Sequence, residues 1–432
     1  MEALAQIEHN TGPGPDFRSD HHNTEAANGA LVRLIAYYLP QYHPIAENDI
    51  WWGKGFTDWT NVTKALPRFA GHYQPQLPGD LGFYDLRMPD ALRKQAALAK
   101  RYGIHGFCFH HYWFQGRTLL DTPLKLLLSQ PDIDLPFCVN WANENWTRRW
   151  RGDDHDILIG QQYSPNDDLA FAASLVPLFR DSRYIRVNNR PLLMIYRPSL
   201  LPDAAATVGR WRAYFREAGM ANPYVVMAQT FGDYDPRKYG MDAAAGFPPH
   251  NSGFEAPRIP VELYEPRSKG EAARYDDMLS NALANRPSEF TLFPGVCPSW
   301  DNEPRRPGRG LCFVGSTPYK YADWLRAACD TAINATDPTE RLVFLNAWNE
   351  WAEGAHLEPD RHYGCAYLAE TLRVVRSLSL SRRPARNALK SARAPAPTHS
   401  SFSPYAFFRK ALRRAAGRCA SAAEAIAWAL RR

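Results

Sequence analysis

The sequence predicts an α/β fold: a (β/α)8 TIM-like barrel with long loops at its strand ends and a basic helical tail at its C-terminus. Three observations support this class. Short apolar runs recur along the chain, segments of helical periodicity separate most of them, and polar or aromatic residues follow several of the runs. With 432 residues, 45% of them hydrophobic, the chain has room for one barrel with insertions or for two domains.

Eight apolar runs are predicted to be the barrel strands, because consecutive branched and aromatic residues are typical of strands buried on both faces of a parallel sheet. The sixth run is weakened by its alanines, and Pro294 interrupts the seventh. An open doubly wound sheet fits less well, since no glycine-rich nucleotide-binding loop follows any strand. In order, the runs are the start of 31–44, then 106–109, 135–139, 191–196, 223–228, 243–247, 292–297 and 342–345.

Helices are predicted between these runs from apolar residues at helical spacing. In residues 90–101, Leu92, Ala96 and Ala99 share one face, and Gly103 follows the last turn as a stop signal. The other predicted helices span 167–180, 204–218 and 363–378.

Both ends of the chain are expected to lie outside the barrel domain, which is assigned to residues 31–380. Residues 1–30 are polar with scattered Gly and Pro, and they are predicted to be a disordered segment. Residues 381–432 carry 12 Lys or Arg and one acid, so the net charge of +6 reflects a basic tail on a mildly acidic body. This tail is predicted to be a Ser/Arg/Ala/Pro linker followed by a basic amphipathic helix.

From Pro404 onward the tail mixes Phe, Leu, Ile and Trp with arginines, as helices on anionic membrane surfaces do. Peripheral contact with the inner membrane through 404–432 is one expectation; a helix docked on the barrel or a solvated tail is the alternative. The sequence has no run of 18 apolar residues and no signal-peptide pattern, and its seven cysteines lack metal-ligand spacing. These features predict a cytoplasmic protein with reduced core cysteines.

The predicted catalytic residues are Glu350 and Glu353. They belong to a nine-residue segment, rich in Asn, Trp and Glu and ending at Gly354, that directly follows the buried run 342–345. Because the two acids are three residues apart, one helical turn or a tight loop places both carboxylates on one side. An ordinary helix start, whose acids favour the N-terminal dipole, is the alternative. Paired acids at the mouth of a barrel favour acid/base catalysis instead.

Side chains suited to sugars follow several of the predicted strands. Asn and His provide fixed donors and acceptors for hydroxyls, and Trp and Tyr pack against the apolar faces of sugar rings. A metal site from His110, His111 and Glu144 is disfavoured, because no helix-borne histidine pair accompanies it; neither a cofactor nor a nucleic-acid partner is expected. One of these two histidines is expected to be a hydrogen-bonded core residue. The predicted substrate-binding residues are Tyr38, Trp59, His110, His111, Tyr112, Trp113, Asn140, Trp141, Asn143, Glu144, Trp146, Trp300, Asn346, Trp348 and Asn349, and Asp301 and Asn302 have the same character.

Six long blocks carry a family resemblance: 37–44 (YYLPQYHP), 51–62 (WWGKGFTDWTNV), 71–75 (GHYQP), 80–86 (DLGFYDL), 141–147 (WANENWT) and 346–354 (NAWNEWAEG). With these blocks the chain resembles the WbsX-type family. Its members are described as glycosyltransferases of lipopolysaccharide O-antigen and other surface-polysaccharide clusters, and as carrying a glycoside hydrolase family 99-like domain. The resemblance covers about residues 31–380 and leaves out both ends.

The resemblance implies a (β/α)8 fold and a paired-acid mechanism. Family 99 enzymes are endo-acting α-mannosidases whose acids sit in an Asn-Glu-Trp-x-Glu-Gly motif, matched here by residues 349–354. Carried over, Glu350 would deprotonate the sugar 2-hydroxyl, which attacks the anomeric carbon to give an anhydrosugar. Glu353 would protonate the leaving oxygen and then activate water. That scheme requires an ionised Glu350 and a raised pKa at Glu353.

Three functions are compatible with these features. An enzyme that cleaves or remodels a glycan is favoured by the paired acids. A glycosyltransferase that builds O-antigen at the cytoplasmic face is favoured by the family description and the basic tail, although no Asp-x-Asp motif lies at a strand end. A catalytically silent sugar-binding barrel is the least expected, because both acids are present. In each case the expected partner is an oligo- or polysaccharide, free or lipid-linked.

Overall fold

Nine parallel strands form the centre of the fold in the computed structural model, which describes residues 2–20, 30–148, 153–284 and 289–381. Two short antiparallel strands, Arg117–Leu119 and Arg186–Val187, extend the same sheet. The parallel strands are β1 (Arg33–Tyr38), β2 (Gly106–Phe114), β3 (Phe137–Trp141), β4 (Arg190–Ile195), β5 (Tyr224–Gln229), β6 (Ala243–Gly246), β7 (Thr291–Phe293), β8 (Gly295–Val296) and β9 (Leu342–Leu345). Their order in the sheet is β7-β6-β5-β4-β3-β2-β1-β9-β8.

Pro294 divides the seventh position of the barrel into β7 and β8. Thr291 of β7 pairs with Ala243 of β6, whereas Gly295 of β8 pairs with Phe344 of β9. The N–H of Phe344 donates to the carbonyl of Pro294 at 2.9 Å, so the ladder continues across the proline. Because β7 and β8 are neighbours in the chain, the sheet returns to its starting point as a nearly closed barrel. The predicted TIM-like fold is confirmed, and the predicted interruption lies where this proline lacks an N–H.

Helices alternate with the barrel strands, and all four predicted helices are present and start within three residues of their expected starts. No helix in the described part of the chain is long and apolar enough to cross a membrane. The helices are α1 (Glu2–Thr11), α2 (Ala46–Trp52), α3 (Trp59–Val62), α4 (Pro89–Arg101), α5 (Thr122–Ser129), α6 (Pro165–Arg180), α7 (Ala204–Glu217), α8 (Tyr275–Ala284), α9 (Pro318–Ile333) and α10 (Ala366–Ser381).

Side chains alternate along β1, and this decides which residues face the barrel interior. Tyr37 faces inward, where its hydroxyl lies 3.2 Å from the Sδ atom of Met194. Tyr38 faces α4, where its hydroxyl donates to Gln95 at 2.8 Å. Both tyrosines are fully buried. The helix layer therefore covers the outer face of the sheet as completely as side chains fill the inner one.

The N-terminal segment, residues 2–20, differs from the disordered segment predicted for 1–30. It begins with α1, and the buried Asn10 donates through its side-chain amide to two backbone carbonyls of the 72–74 loop, at 2.9 and 2.8 Å. Further on, the N–H of Cys365 donates to the carbonyl of Arg18 at 2.7 Å. These contacts use backbone groups and single polar side chains rather than an apolar face. Composition alone therefore does not reveal that the segment is ordered.

The remaining expectations about the chain are met in part. Six cysteines of the described residues are buried and form no disulfide. The linker and amphipathic helix predicted for the C-terminal tail lie outside the described residues, apart from Ser381 at the end of α10.

Candidate active site

The glutamate pair lies on a short hairpin that follows β9. Asn349–Glu350 pairs with Ala355–His356 in antiparallel register, and the 3-10 turn Trp351–Glu353 joins them. The turn ends at Gly354, whose φ of +58° is a conformation that L residues rarely adopt. A Cβ atom at this position would lie 2.9 Å from the Cβ atom of Asp301, so glycine alone fits without a shift.

Arg305 joins the two carboxylates. Its Nη2 donates to Oε2 of Glu350 at 2.9 Å, and its Nη1 lies 2.6 Å from Oε1 of Glu353. The same Nη2 donates to Oδ2 of Asp58 at 2.7 Å. Asp58 is fully buried and also accepts from the amide of Asn61 at 2.9 Å. One guanidinium therefore holds Glu350 and Glu353 side by side, and Asp58 anchors that guanidinium.

Burial and charge shift the protonation of this cluster. Burial raises the pKa of Glu350 to about 8; the charge of Arg305 opposes the rise, and those of Glu353 and Asp58 add to it. Burial would lower the pKa of Arg305, but the three carboxylates outweigh it and raise that pKa well above its usual range. Because one guanidinium cannot neutralise three carboxylates, the cluster favours a retained proton.

The raised pKa of Glu350 conflicts with the family scheme, which requires an ionised Glu350. The physical reason is depth. The side chain of Glu350 is 8% exposed, whereas that of Glu353 is 24% exposed. A carboxylate with a raised pKa is also the stronger base once it has lost its proton, so the base role of Glu350 remains chemically consistent.

His110 adds a neutral imidazole to the cluster from β2. Its Nε2 lies 3.6 Å from Oε1 of Glu350, and its Nδ1 lies 3.3 Å from the Nδ2 atom of Asn140. Burial, reinforced by the charge of Arg305, lowers the pKa of His110 to about 4, so the ring is uncharged at neutral pH. With Asn140 donating to Nδ1, the ring proton resides on Nε2 and faces Glu350.

The cluster lines a cavity of about 220 Å³ at the carboxyl ends of the barrel strands, where enzymes of this architecture keep their active sites. Both aromatic rings and polar groups line it, as they do in sugar-binding sites. The lining residues are Leu39, Gln41, His110, Tyr112, Ala142, Glu144, Asn145, Trp146, Tyr196, Phe247, His250, Arg305, Asn346, Glu350 and Glu353.

Buried hydrogen bonds and ring contacts fix the position of the hairpin. Asn349 pairs with the backbone of Leu39, accepting from its N–H at 2.7 Å and donating to its carbonyl at 3.0 Å. Trp351 stacks on His356, with ring centroids 3.7 Å apart, and its indole donates to Glu358 at 2.7 Å. Glu358 also accepts from the buried Gln95 at 2.7 Å and from the half-buried Tyr84 at 2.8 Å. The hairpin is thus fixed to both β1 and the helix layer.

Of the predicted site residues, the catalytic pair and five others line the cavity: His110, Tyr112, Glu144, Trp146 and Asn346. Glu144 is fixed by Arg197, 2.5 Å away, and Asn346 donates to the carbonyl of Pro248 at 2.6 Å.

Four predicted residues face the helix layer instead, because side chains alternate along their strands. Tyr38 bonds to Gln95, His111 packs against Phe171, Trp113 donates to Asp167, and Trp141 packs against Phe171 and Trp211.

The other predicted residues do not line this cavity, and most of them are buried next to residues that do. Trp59 packs against Trp351 of the hairpin, and Asn140 is buried beside His110. Asn349 is part of the hairpin, and Trp348 is buried directly before it. Asn143 binds the backbone of Arg197 through both amide atoms at 2.8 Å. Trp300 and Asp301 line a separate cavity of about 270 Å³, and Asn302 accepts from the N–H of Leu311 at 2.8 Å.

Several lining residues were not predicted, chiefly Arg305, Gln41, Tyr196 and His250, and Asp58 entered the sequence analysis only within the block 51–62. Tyr196 ends a predicted strand, His250 lies three residues after the predicted strand 243–247, and Arg305 lies eight residues after the predicted strand 292–297. Position after a strand end was therefore a usable signal for these three. The described residues contain no group of three or more His, Cys, Asp or Glu suited to a metal. His110 and His111 face opposite sides of β2.

Comparison with known sequences identifies a family and two curated relatives for this chain. The family described as Glycosyltransferase WbsX matches residues 34–371. Two curated relatives, each named "Uncharacterized protein WxcX", from Xanthomonas campestris pv. campestris strains ATCC 33913 and B100, are 49% identical over 339 residues. The match covers 78% of this chain and 49% of each relative. The chain thus spans about half the length of the curated relatives it matches.

Two solved structures share the fold. One is the GH99 endo-alpha-mannosidase from Bacteroides thetaiotaomicron in complex with BIS-TRIS-Propane, with 15% identity, a TM-score of 0.50, and coverage of 81% of this chain and 98% of that one. The other is named "Glycoside hydrolase-like protein", with 16% identity, a TM-score of 0.53, and coverage of 84% and 99%. At such identities the likeness establishes the fold alone.

Proposed function

The chain belongs to the WbsX glycosyltransferase family, and we propose that it is a carbohydrate-active enzyme of bacterial surface-polysaccharide metabolism that acts on a glycosidic bond. The proposed catalytic residues are Glu350 and Glu353. The observation that carries the proposal is the Arg305 bridge, which holds both carboxylates side by side at a cavity lined by aromatic rings. A manno-configured sugar is the first candidate substrate, because the 349–354 motif matches that of family 99 enzymes.

In the proposed reaction Glu350 takes the proton of the sugar 2-hydroxyl as that oxygen bonds to the anomeric carbon. The glycosidic bond breaks at the same time, and Glu353 gives its proton to the leaving oxygen. Water then attacks the anomeric carbon and breaks its bond to the 2-oxygen, Glu353 takes a proton from the water, and Glu350 returns its proton to the freed 2-oxygen. The reaction starts with Glu350 ionised and Glu353 protonated. Because burial raises the pKa of Glu350 to about 8, the resting cluster holds a proton on Glu350 at neutral pH, and that proton must leave before Glu350 can accept the one from the 2-hydroxyl.

A glycosyltransferase that adds a sugar during O-antigen biosynthesis is the second candidate, and the description of the matched family favours it. In that reading a nucleotide sugar is the donor, and a lipid-linked saccharide is the acceptor. A sugar-binding barrel without activity is the third reading, and the presence of both acids disfavours it.

Product analysis separates these functions. The purified full chain, incubated with deacylated surface polysaccharide, is expected to release reducing ends, and Glu350→Gln and Glu353→Gln are each expected to abolish that release. Release of free nucleotide from a sugar-nucleotide donor and a lipid-linked acceptor would instead establish the transferase. If both variants keep the full activity of the parent, the assignment of the site is wrong.

A further inference from the structure

A second cavity, of about 140 Å³, adjoins the one at the glutamates. The two cavities share Gln41, Glu144, Asn145 and Trp146, so a continuous groove runs from the catalytic hairpin to α2. Asn48 and Trp52, both on α2, line only the second cavity. We propose that this cavity, the α2 subsite, binds a second pyranose ring of the substrate. The inference rests on the proposed function and adds to it the place where a second sugar unit of the substrate binds.

Asn48 carries the first argument. It is 2% exposed, and among the described residues its Nδ2 atom has no hydrogen-bond partner. A buried donor without a partner costs about 1–3 kcal/mol, and native structures retain few of them. An amide that lines a cavity is satisfied when a ligand oxygen enters, and a sugar hydroxyl supplies such an acceptor. The unmet hydrogen bond of Asn48 is therefore explained by a polar, uncharged ligand in this space.

The aromatic rings of the groove carry the second argument. Trp146 lies where the two cavities meet, and edge-to-face contacts with Trp51 and Tyr112, at 5.7 and 5.0 Å between ring centroids, fix its orientation. Trp52 lines the far end and is half-buried. Preoriented rings beside hydrogen-bonding amides match a pyranose, which has apolar C–H faces and hydroxyls around its rim. Two adjoining cavities of this character suit two consecutive sugar units.

The α2 subsite is testable by the chain-length dependence of binding. Dissociation constants are measured by calorimetry on the full chain carrying Glu350→Gln, which prevents turnover. The probes are α-linked manno-oligosaccharides of one to four units and size-graded fragments from partial acid hydrolysis of Xanthomonas campestris O-polysaccharide. Affinity is expected to rise at least about tenfold from one unit to two or three, and Asn48→Ala is expected to weaken only the longer probes, by about three- to tenfold. Trp52→Ala is expected to weaken the same probes.

Melting temperatures show whether a loss of affinity comes from a lost contact with the ligand or from a less stable fold. Because Asn48→Ala removes an unsatisfied donor, its melting temperature is expected to equal or exceed that of the parent. Asn334→Ala, an exposed asparagine at the end of α9, is the matched control and is expected to change neither quantity.

The possible outcomes are distinguishable. Equal loss of affinity for short and long probes, or no gain with length, would overturn the α2 subsite. If that result is found and the wild-type chain still releases reducing ends from polysaccharide, the proposed function stands and only the α2 subsite is wrong. If no probe binds and no product forms, both proposals are wrong.

Discussion

The Nη2 atom of Arg305 lies 2.9 Å from Oε2 of Glu350, although the two residues are 45 positions apart in the chain. The loop after β8 therefore supplies the counter-ion for an acid on the hairpin after β9. Removing the cation would leave three buried or half-buried carboxylates without their shared partner. Such a removal is more damaging than the loss of a surface ion pair, since each carboxylate would remain in a site of low polarity.

The first prediction concerns Arg305→Met, which keeps the length of the side chain and removes its charge. The free energy of unfolding is expected to fall by about 3–5 kcal/mol, and the variant is expected to release no reducing ends from polysaccharide. Denaturant unfolding at neutral pH measures the first effect. Arg326→Met is the control, because Arg326 pairs with Asp330 in an exposed position and is expected to change stability by less than about 1 kcal/mol. A similar small effect at Arg305 would contradict the central role of the cluster.

The second prediction is that stability falls as pH rises through the range in which Glu350 titrates. Burial raises the pKa of Glu350 from 4.5 to about 8, so the folded protein holds this proton more tightly than the unfolded chain does. Its contribution is complete below the unfolded pKa and is lost as pH rises through the folded one. Unfolding free energies at about pH 5, 6.5 and 8 should therefore decrease less steeply in Glu350→Gln than in the parent. Parallel slopes would show that the pKa of Glu350 is not raised.

Gly354→Ala supplies the third prediction. The added Cβ would lie 2.9 Å from the Cβ atom of Asp301 at a φ of +58°, so the turn between the glutamates must shift. Stability is expected to fall by about 1–3 kcal/mol, and activity is expected to fall with it. Gly116→Ala is the control: its φ is +84°, but no atom lies within 4 Å of the added Cβ. Equal stability losses in the two variants would mean that backbone strain alone accounts for the effect.

The fold and the glutamate pair could be predicted because their signals are local. The buried run at β9 and the three-residue spacing of Glu350 and Glu353 are both visible in adjacent residues. Which side chains face the cavity was harder to predict. Because β2 is covered on both faces, its apolar pattern does not show that His110 faces the barrel interior and His111 the helix layer. The position of Arg305 after a predicted strand was a usable signal for its place at the barrel mouth. Its contact with Glu350 was missed because it joins two loops, and sequence periodicity carries no information about such contacts.

The last prediction concerns the N-terminal segment, which is connected to the hairpin of Glu350 and Glu353 by a series of hydrogen bonds. Asn10 binds the 72–74 loop; His72 and Gln74 of that loop lie 2.7 and 2.6 Å from Oδ2 of Asp301. The N–H of Asp301 in turn donates to the carbonyl of Glu353 at 2.6 Å. Deleting residues 2–20 is expected to lower the free energy of unfolding by about 2–5 kcal/mol, the combined effect of several hydrogen bonds.

Because the 72–74 loop supports Asp301, and Asp301 supports Glu353, the deletion should also reduce kcat. Asn10→Ala should reproduce part of both effects, since it leaves two buried carbonyls without their donor. Glu8→Ala, at an exposed position of α1, is the control and should leave both stability and kcat unchanged. Unfolding curves and initial rates on the same preparations measure the two quantities. A stable deletion variant with full activity would show that the hydrogen-bonded connection from Asn10 to Glu353 does not position the acid.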